Sequence, residues 1–316
     1  MKHQAKKRFG QNFLTDKNLL RRIVDKANIK DKNVLEIGPG LGALTQFLTV
    51  DAKKYLAYEI DYSLIEPLEQ FRSDKTKIIF KDFMEDNVEE TLSTYFGDEE
   101  IHLVGNLPYN ITTPIIFKFL EIDNLKTATI MVQKEVGDRV ISETNLKSYN
   151  AFSAILQYHA DVHRIVNVGR KMFTPPPQVD STVIQIVKRE KRLSKVDEKT
   201  YVELVKKAFQ HKRKTLLNNL NTGFDLPKEK ALEFLKKHGF DENIRAENLG
   251  VDDFIRLTKD WKSLNWFPFF SDYMKKILAN WNVSACLMKK YVIMKVVLST
   301  PGGANASNRR ESTTCS

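Results

Sequence analysis

Two cysteines are all that the 316-residue chain contains, Cys286 and Cys315, both near its C-terminal end. Without a CxxC pair or a Cys/His cluster, the usual structural zinc sites and a disulfide framework are excluded. Long apolar runs are missing as well. "YVIMKVV" is far shorter than the roughly 20 residues of a membrane span, and Lys295 interrupts it. The basic start "MKHQAKKRFGQNF" runs into no apolar stretch, so it does not read as a secretory signal. These absences predict a cytoplasmic protein with no metal centre and no membrane partner.

What is present is apolar content and positive charge. Hydrophobic residues make up 42% of the chain, enough for a proper core. The length suggests roughly two domains. Against 40 Asp and Glu stand 50 Lys and Arg, a formal charge of +10. Such a surplus suits a polyanion, because neutralised phosphates release counterions, although a merely soluble basic protein carries the same signal.

From residue 17 to residue 133, short apolar runs alternate with helical patterns. Leu19, Leu20, Ile23, Val24 and Ala27 recur at helical spacing behind Asp16, a residue suited to capping a helix. "NVLEIG", "KYLAYEI", "KIIF", "IHLVG" and "TATIMV" read as strands, with "LGALTQFLT" and "YSLIEPLEQF" as helices between the first three. Repeated βα units predict an α/β fold, a doubly wound and mainly parallel sheet of Rossmann-like type. "VHRIVNVG" and "STVIQIVKR", on either side of a proline-rich loop, predict an antiparallel finish to that sheet. Beyond Arg189, "KTYVELVKKAFQHKRKTLLNNL", "PKEKALEFLKKHG" and "VDDFIRLTKDW" predict a small helical domain. The expected division is residues 1–189, residues 190–261, and an extension over residues 262–316. Its end, "STPGGANASNRRESTTCS", has the composition of a disordered tail.

The residues expected to carry chemistry fall at strand ends, where open α/β sheets bind ligands. Gly38 and Gly40 of "EIGPGLG" let the backbone turn sharply beneath a ligand at a helix start. Their spacing does not separate a dinucleotide from S-adenosylmethionine. Glu59, about 20 residues further on, can accept both hydroxyls of a ribose, as it would in a dehydrogenase. Asp82 can accept an adenine amino hydrogen. Taken singly, each acid fits an exposed strand-end charge or a helix cap equally well. The next strand ends in "GNLPYN", where Pro108 withdraws a backbone donor and Asn106 adds an amide. An exocyclic adenine amine is a poor nucleophile because its lone pair is delocalised into the ring. The Asn106 side-chain oxygen and the Pro108 carbonyl can accept its two hydrogens, and Tyr109 offers the base a face to stack on. That is catalysis by positioning and electrostatics, without a dedicated base.

In order along the chain, "KRFGQNFL", "LEIGPGLGALT", "YEID", "GNLPYNITTPI", "MVQKEVGDRV", "FTPPPQVDSTV" and "FQHKRKTLLNNL" resemble the KsgA/Erm family of S-adenosylmethionine-dependent ribosomal RNA adenine dimethyltransferases. The resemblance runs from about Lys7 to Trp261 and is greater to the KsgA branch. It implies that Asn12 and Leu14 cover the methionine end of the cofactor and that Gly38 lies under it. Glu59 would hold the ribose, Asp82 the adenine, and Asn106 would bridge cofactor and target amine. Phe173, by packing alone an ordinary core residue, would sandwich the target base opposite Tyr109. Lys206, Lys207, Lys212, Arg213 and Lys214, with Lys2, Lys6, Lys7 and Arg8 at the N-terminus, are expected to form two basic surfaces gripping RNA backbone. Singly, each of these cations fits a solvated face equally well.

The implied activity is dimethylation of the N6 amine of adenines, two adjacent ones, in small-subunit ribosomal RNA during ribosome assembly. The implied enzyme is a monomer whose partner is that RNA or the assembling small subunit. Three other readings stay open: an Erm-type large-subunit methyltransferase conferring antibiotic resistance, a non-catalytic nucleic-acid-binding factor on the same fold, and a dehydrogenase. "NITTPIIFKF" and "HKRKTLLNNL" favour the KsgA branch, the intact "NLPY" speaks against the non-catalytic factor, and no hydride-handling site is visible. Residues 262–316 match none of these motifs and are assigned no function.

Overall fold

The order in which the apolar runs pair brings four strand ends side by side. The computed structural model describes Lys6, residues 11–190 and residues 196–264, which belong to one compact unit, Met1–Leu264. Lys2, Lys7, Arg8, both cysteines and the chain beyond Leu264 lie outside the described residues. The strands are β1 (Phe13–Leu14), β2 (Asn33–Ile37), β3 (Lys54–Glu59), β4 (Thr76–Phe80), β5 (Ile101–Asn106), β6 (Leu125–Gln133), β7 (Ala160–Val168), β8 (Phe173–Thr174) and β9 (Ser181–Lys188). The helices are α1 (Lys17–Ala27), α2 (Thr45–Asp51), α3 (Ile65–Glu69), α4 (Val88–Phe96), α5 (Thr112–Glu121), α6 (Lys134–Val140), α7 (Ala151–His159), α8 (Glu198–Ala208), α9 (Leu216–Phe224), α10 (Lys228–Lys237) and α11 (Val251–Trp261).

The main sheet has the order β4-β3-β2-β5-β6-β9-β7. From β4 to β6 every pairing is parallel, and β9 pairs antiparallel with both β6 and β7. The antiparallel finish is therefore the one expected, with the last strand inserted inside the hairpin partner rather than at the edge. Chain order reverses at β2, whose neighbours are β3 and β5, and a crevice opens beyond their C-terminal ends. β2 is buried along its whole length, as a parallel strand covered on both faces must be. Asp16 caps α1 by accepting the Leu19 N–H at 2.9 Å, and α1 buries the five apolar residues that set its spacing.

Where β5 runs beside β2 the backbones leave no room for a side chain. A Cβ at Gly105 would stand 2.7 Å from the Ile37 carbonyl oxygen. Gly105→Ala is therefore expected to cost about 1–3 kcal/mol of stability, the usual range for overpacking. The check is a lowered denaturation midpoint with an unchanged slope; an unaltered midpoint would mean that the two strands part freely.

A second, two-stranded ribbon pairs Phe13 with Thr174 and Leu14 with Phe173. Strands of two residues carry no readable alternation, so periodicity does not announce them. The helical region docks through α8: Tyr201 stacks on Tyr158 of α7 with ring centroids 4.3 Å apart, and its hydroxyl donates to the Ala154 carbonyl at 3.1 Å.

Candidate active site

Directly after β2, Gly38, Gly40 and Gly42 take φ values of +72°, +59° and +83°, a region that residues with a Cβ avoid. At Gly40 there is a second reason: a Cβ would stand 3.1 Å from Phe13 Cε1. Beneath this loop the buried Glu36 accepts from the Thr45 hydroxyl at 2.8 Å and from the Tyr55 hydroxyl, tying the start of α2 to β2 and β3. Burial pushes the Glu36 carboxyl up to about 7, against the lowering influence of both hydroxyls.

Glu59, the last residue of β3, is buried with each carboxylate oxygen on a backbone donor. Oε2 accepts the Gly40 N–H at 3.0 Å and Oε1 the Asp61 N–H at 2.9 Å. Burial raises its pKa, and those backbone bonds oppose the rise. The carboxylate keeps acceptor capacity for a ribose hydroxyl. Two residues past β4, Asp82 accepts the Met84 N–H on Oδ1 at 2.7 Å, leaving Oδ2 as an acceptor. The turn it opens is held by Lys118 of α5, whose ammonium donates to the carbonyls of Phe83 at 2.7 Å and Asp86 at 3.2 Å. The sequence patterns did not single out Lys118, because a lysine in a helix normally reads as solvated.

Asn106 ends β5. Its Nδ2 donates to the Asn12 carbonyl at 3.0 Å, which orients the amide, and Oδ1 is left without a hydrogen bond among the described residues. Asn12, Leu14, Gly38, Gly40, Glu59, Asp82, Asn106, Pro108 and Tyr109 all line one crevice of about 990 Å³, its open mouth included. The expected cofactor residues are thus brought together. The loop, the acid at the end of β3 and the acid after β4 fit a nucleoside with a charged tail: a turn with no Cβ for close approach, a buried carboxylate for hydroxyls, and an acceptor for an amino group.

Two expectations need correcting. The carbonyl of Pro108 is not free, since it accepts the Ile111 N–H at 3.2 Å and the Thr112 hydroxyl at 3.1 Å in the turn that starts α5. The carbonyl of the preceding Leu107 has no such partner among the described residues. Phe173 does not offer a ring face to the crevice. It is 3% exposed and sits in the same buried cluster as Leu14, Leu20, Met131 and Val183, because its strand closes the ribbon with β1. Tyr109 does line the crevice, with its hydroxyl 2.7 Å from Ser181 Oγ at the start of β9. Burial raises the phenol pKa more than that bond lowers it, so the ring is neutral and no phenolate base is available.

Of the basic residues, Lys206 ends up exposed and Lys207 half-buried on α8, while Lys212, Arg213 and Lys214 are exposed in the turn before α9. The Lys212 ammonium donates to the Lys147 carbonyl, and both residues line a shallow cleft with Lys134 and Arg139. Those last three cations were not among the expected RNA contacts. Lys6 is not a free cation either: its ammonium lies 2.6 Å from Asp61 Oδ1. Among the described residues no cluster of His, Cys, Asp and Glu could hold a metal ion.

Comparison with known proteins places the chain in a family. Residues 2–262 match the model of the family described as "Ribosomal RNA adenine dimethylase". The "Ribosomal RNA small subunit methyltransferase A" of Onion yellows phytoplasma (strain OY-M) is 44% identical over 272 residues, covering 86% of this chain and 99% of the relative. The protein of the same description from Bacillus cytotoxicus is 43% identical over 262 residues, covering 80% and 90%. Among solved structures, a dimethyladenosine transferase from Plasmodium falciparum superposes with a TM-score of 0.70 at 26% identity, over 80% of this chain and 98% of that one. The 23S rRNA methyltransferase ErmE gives 0.62 at 24% identity, over 78% and 98%, a likeness of fold.

Proposed function

This chain belongs to the ribosomal RNA adenine dimethylase family, and from that premise we propose that Asn106 receives the N6 amine of an adenine from small-subunit ribosomal RNA opposite a cofactor held by Gly38, Glu59 and Asp82. The activity is S-adenosylmethionine-dependent dimethylation of that amine. The observation that supports the site reading most is the Asn106 amide, oriented by Asn12 with Oδ1 left open in the crevice.

When bound, the cofactor supplies an electrophilic sulfonium methyl. Glu59 would hold the ribose hydroxyls and Asp82 the adenine amino group, with Asn12 and Leu14 covering the remaining end. On the other side, Asn106 Oδ1 and the Leu107 carbonyl accept the two hydrogens of the target amine. Held this way the nitrogen pyramidalises, and its lone pair leaves conjugation with the ring. Acceptors already in place pay no reorganisation as charge develops on the nitrogen. Tyr109 stacks on the base, worth about 1–3 kcal/mol, against the cost of extruding it from its RNA context. The methylated amine is cationic and acidic and loses its proton to water, so no protein base is needed.

Among the described residues no helix is long and apolar enough to cross a membrane. We read the chain as a cytoplasmic monomer working on the assembling small subunit, with α8 to α11 as its RNA-gripping region. The deciding experiment is mass spectrometry of adenines in both ribosomal subunits from cells with and without this gene. Dimethyladenine is expected to vanish from small-subunit RNA alone. Its loss from the large subunit, or no loss at all, overturns the assignment.

Gripping separates from chemistry by salt dependence. Neutralising Lys212, Arg213 and Lys214 together is expected to flatten the log–log salt slope of RNA binding by about 0.7–0.9 per lost phosphate contact. Cofactor affinity should stay as it was. A wild-type slope would make the three a solvated face.

A further inference from the structure

We propose that Asp61 is a positioning residue for methyl transfer, acting through the N-terminal strand on the Asn106 amide. The inference rests on the reading that Asn106 Oδ1 receives the target amine. Asp61 is 2% exposed and does not line the crevice. Its Oδ2 accepts Gln11 Nε2 at 2.8 Å, and its Oδ1 accepts the Lys6 ammonium at 2.6 Å and the Ser63 hydroxyl at 2.7 Å. Its own N–H donates to Glu59 Oε1. Asp61 therefore joins the acid at the end of β3, through its backbone N–H, to the segment that leads into β1, through its carboxylate.

That strand carries the residue that orients Asn106. Gln11 precedes Asn12, whose carbonyl takes Asn106 Nδ2, and Phe13 and Leu14 follow in the ribbon with β8. The Asn12 carbonyl is thus fixed from both sides, by Asp61 before it and by the ribbon after it. Without the Asp61 carboxylate the segment loses the bonds that tie Gln11 and Lys6 to the end of β3. The Asn106 amide is then free to turn over, which exchanges Oδ1 for Nδ2 and sets a donor against an amine that is itself a donor. A buried carboxylate is a costly anchor unless it is well paired. Burial opposes ionisation of Asp61, yet the bonds from Lys6, Ser63 and Gln11 outweigh it and hold the carboxyl below the ordinary aspartate range.

The test uses full-length protein with selectively 15N-labelled asparagine, the Asn106 side-chain signal being identified by its loss in Asn106→Ala. In the cofactor-free protein, Asp61→Ala is expected to move that signal to the position of a solvated amide and to speed its hydrogen exchange. At saturating cofactor, the single-turnover rate should fall roughly 10- to 100-fold, the scale of a displaced catalytic group. Asp61→Ala in the Asn106→Ala background should bring no further loss. Gln11→Met, which leaves the Asp61 carboxylate in place and removes its bond to Gln11 together with the Lys6 N–H bond to Gln11 Oε1, should show the same effects in milder form even if Asp61→Ala unfolds. An unmoved Asn106 signal in Gln11→Met, or a rate loss that adds fully to that of Asn106→Ala, overturns the proposal. A silent Asn106→Ala sinks instead the reading of Asn106 on which it rests.

Discussion

Asn106→Ala is expected to slow single-turnover methyl transfer to under-methylated small subunits by about 100- to 1,000-fold, equivalent to roughly 2.7–4 kcal/mol. RNA affinity should be untouched, because the amide's task grows as the amine pyramidalises, and interactions stronger in the transition state than before it set the rate. Asn106→Asp should not rescue. A carboxylate can accept from the amine, but it cannot donate to the Asn12 carbonyl 3.0 Å away, and two acceptors would face each other there. Tyr109 gives the complementary comparison. Tyr109→Phe keeps the ring and loses the Ser181 contact, at a cost near 1 kcal/mol, whereas Tyr109→Ala loses the stacking face. Wild-type transfer by Asn106→Ala, or a Tyr109→Phe enzyme as slow as Tyr109→Ala, would show that the motif works differently.

Glu59→Ala is expected to weaken cofactor binding by about 100-fold or more. Two charge-assisted hydrogen bonds to a ribose disappear, each worth about 1.5–3 kcal/mol. The Gly40 and Asp61 N–H groups lose their acceptor at the same time. Glu59→Gln should fall between, since its amide keeps one acceptor but turns a donor towards one of those two N–H groups. Titration calorimetry with S-adenosylmethionine, and with NAD as a control, reads the effect. An unchanged affinity in Glu59→Ala would remove this strand end from the cofactor site.

The strands and their ligand-facing ends were legible because parallel βα units combine apolar runs of strand length with glycine or acid at fixed places. Gly38, Glu59, Asp82 and Asn106 could be put in one crevice from sequence, and the crevice lining bears this out. Hydrogen-bond traffic was not legible. Nothing in "NLPYN" tells that Ile111 and Thr112 occupy the Pro108 carbonyl, a consequence of α5 starting so soon after the strand. Phe173 was misplaced for a related reason: its burial comes from pairing with Leu14, a partner far away in the chain. Lys6 was expected on a basic surface gripping RNA and Lys118 was not singled out, yet the fold turns one ammonium onto Asp61 and the other onto backbone carbonyls.

The pairing of Phe13 with Thr174 also dictates an order of events at the ribosome that makes this protein. At about 5–20 residues per second, the two partners emerge on the order of 10–30 seconds apart. β2 to β5 are parallel neighbours drawn from one stretch of chain, so they can assemble during that wait. The glycine loop, Glu59, Asp82 and Asn106 can thus come together before the ribbon has its second strand. Such long-range closure is the slow part of a fold of this kind. A chain halted before Phe173 therefore has Glu59, Asp82 and Asn106 encoded in full, while the segment above them still lacks its ribbon partner.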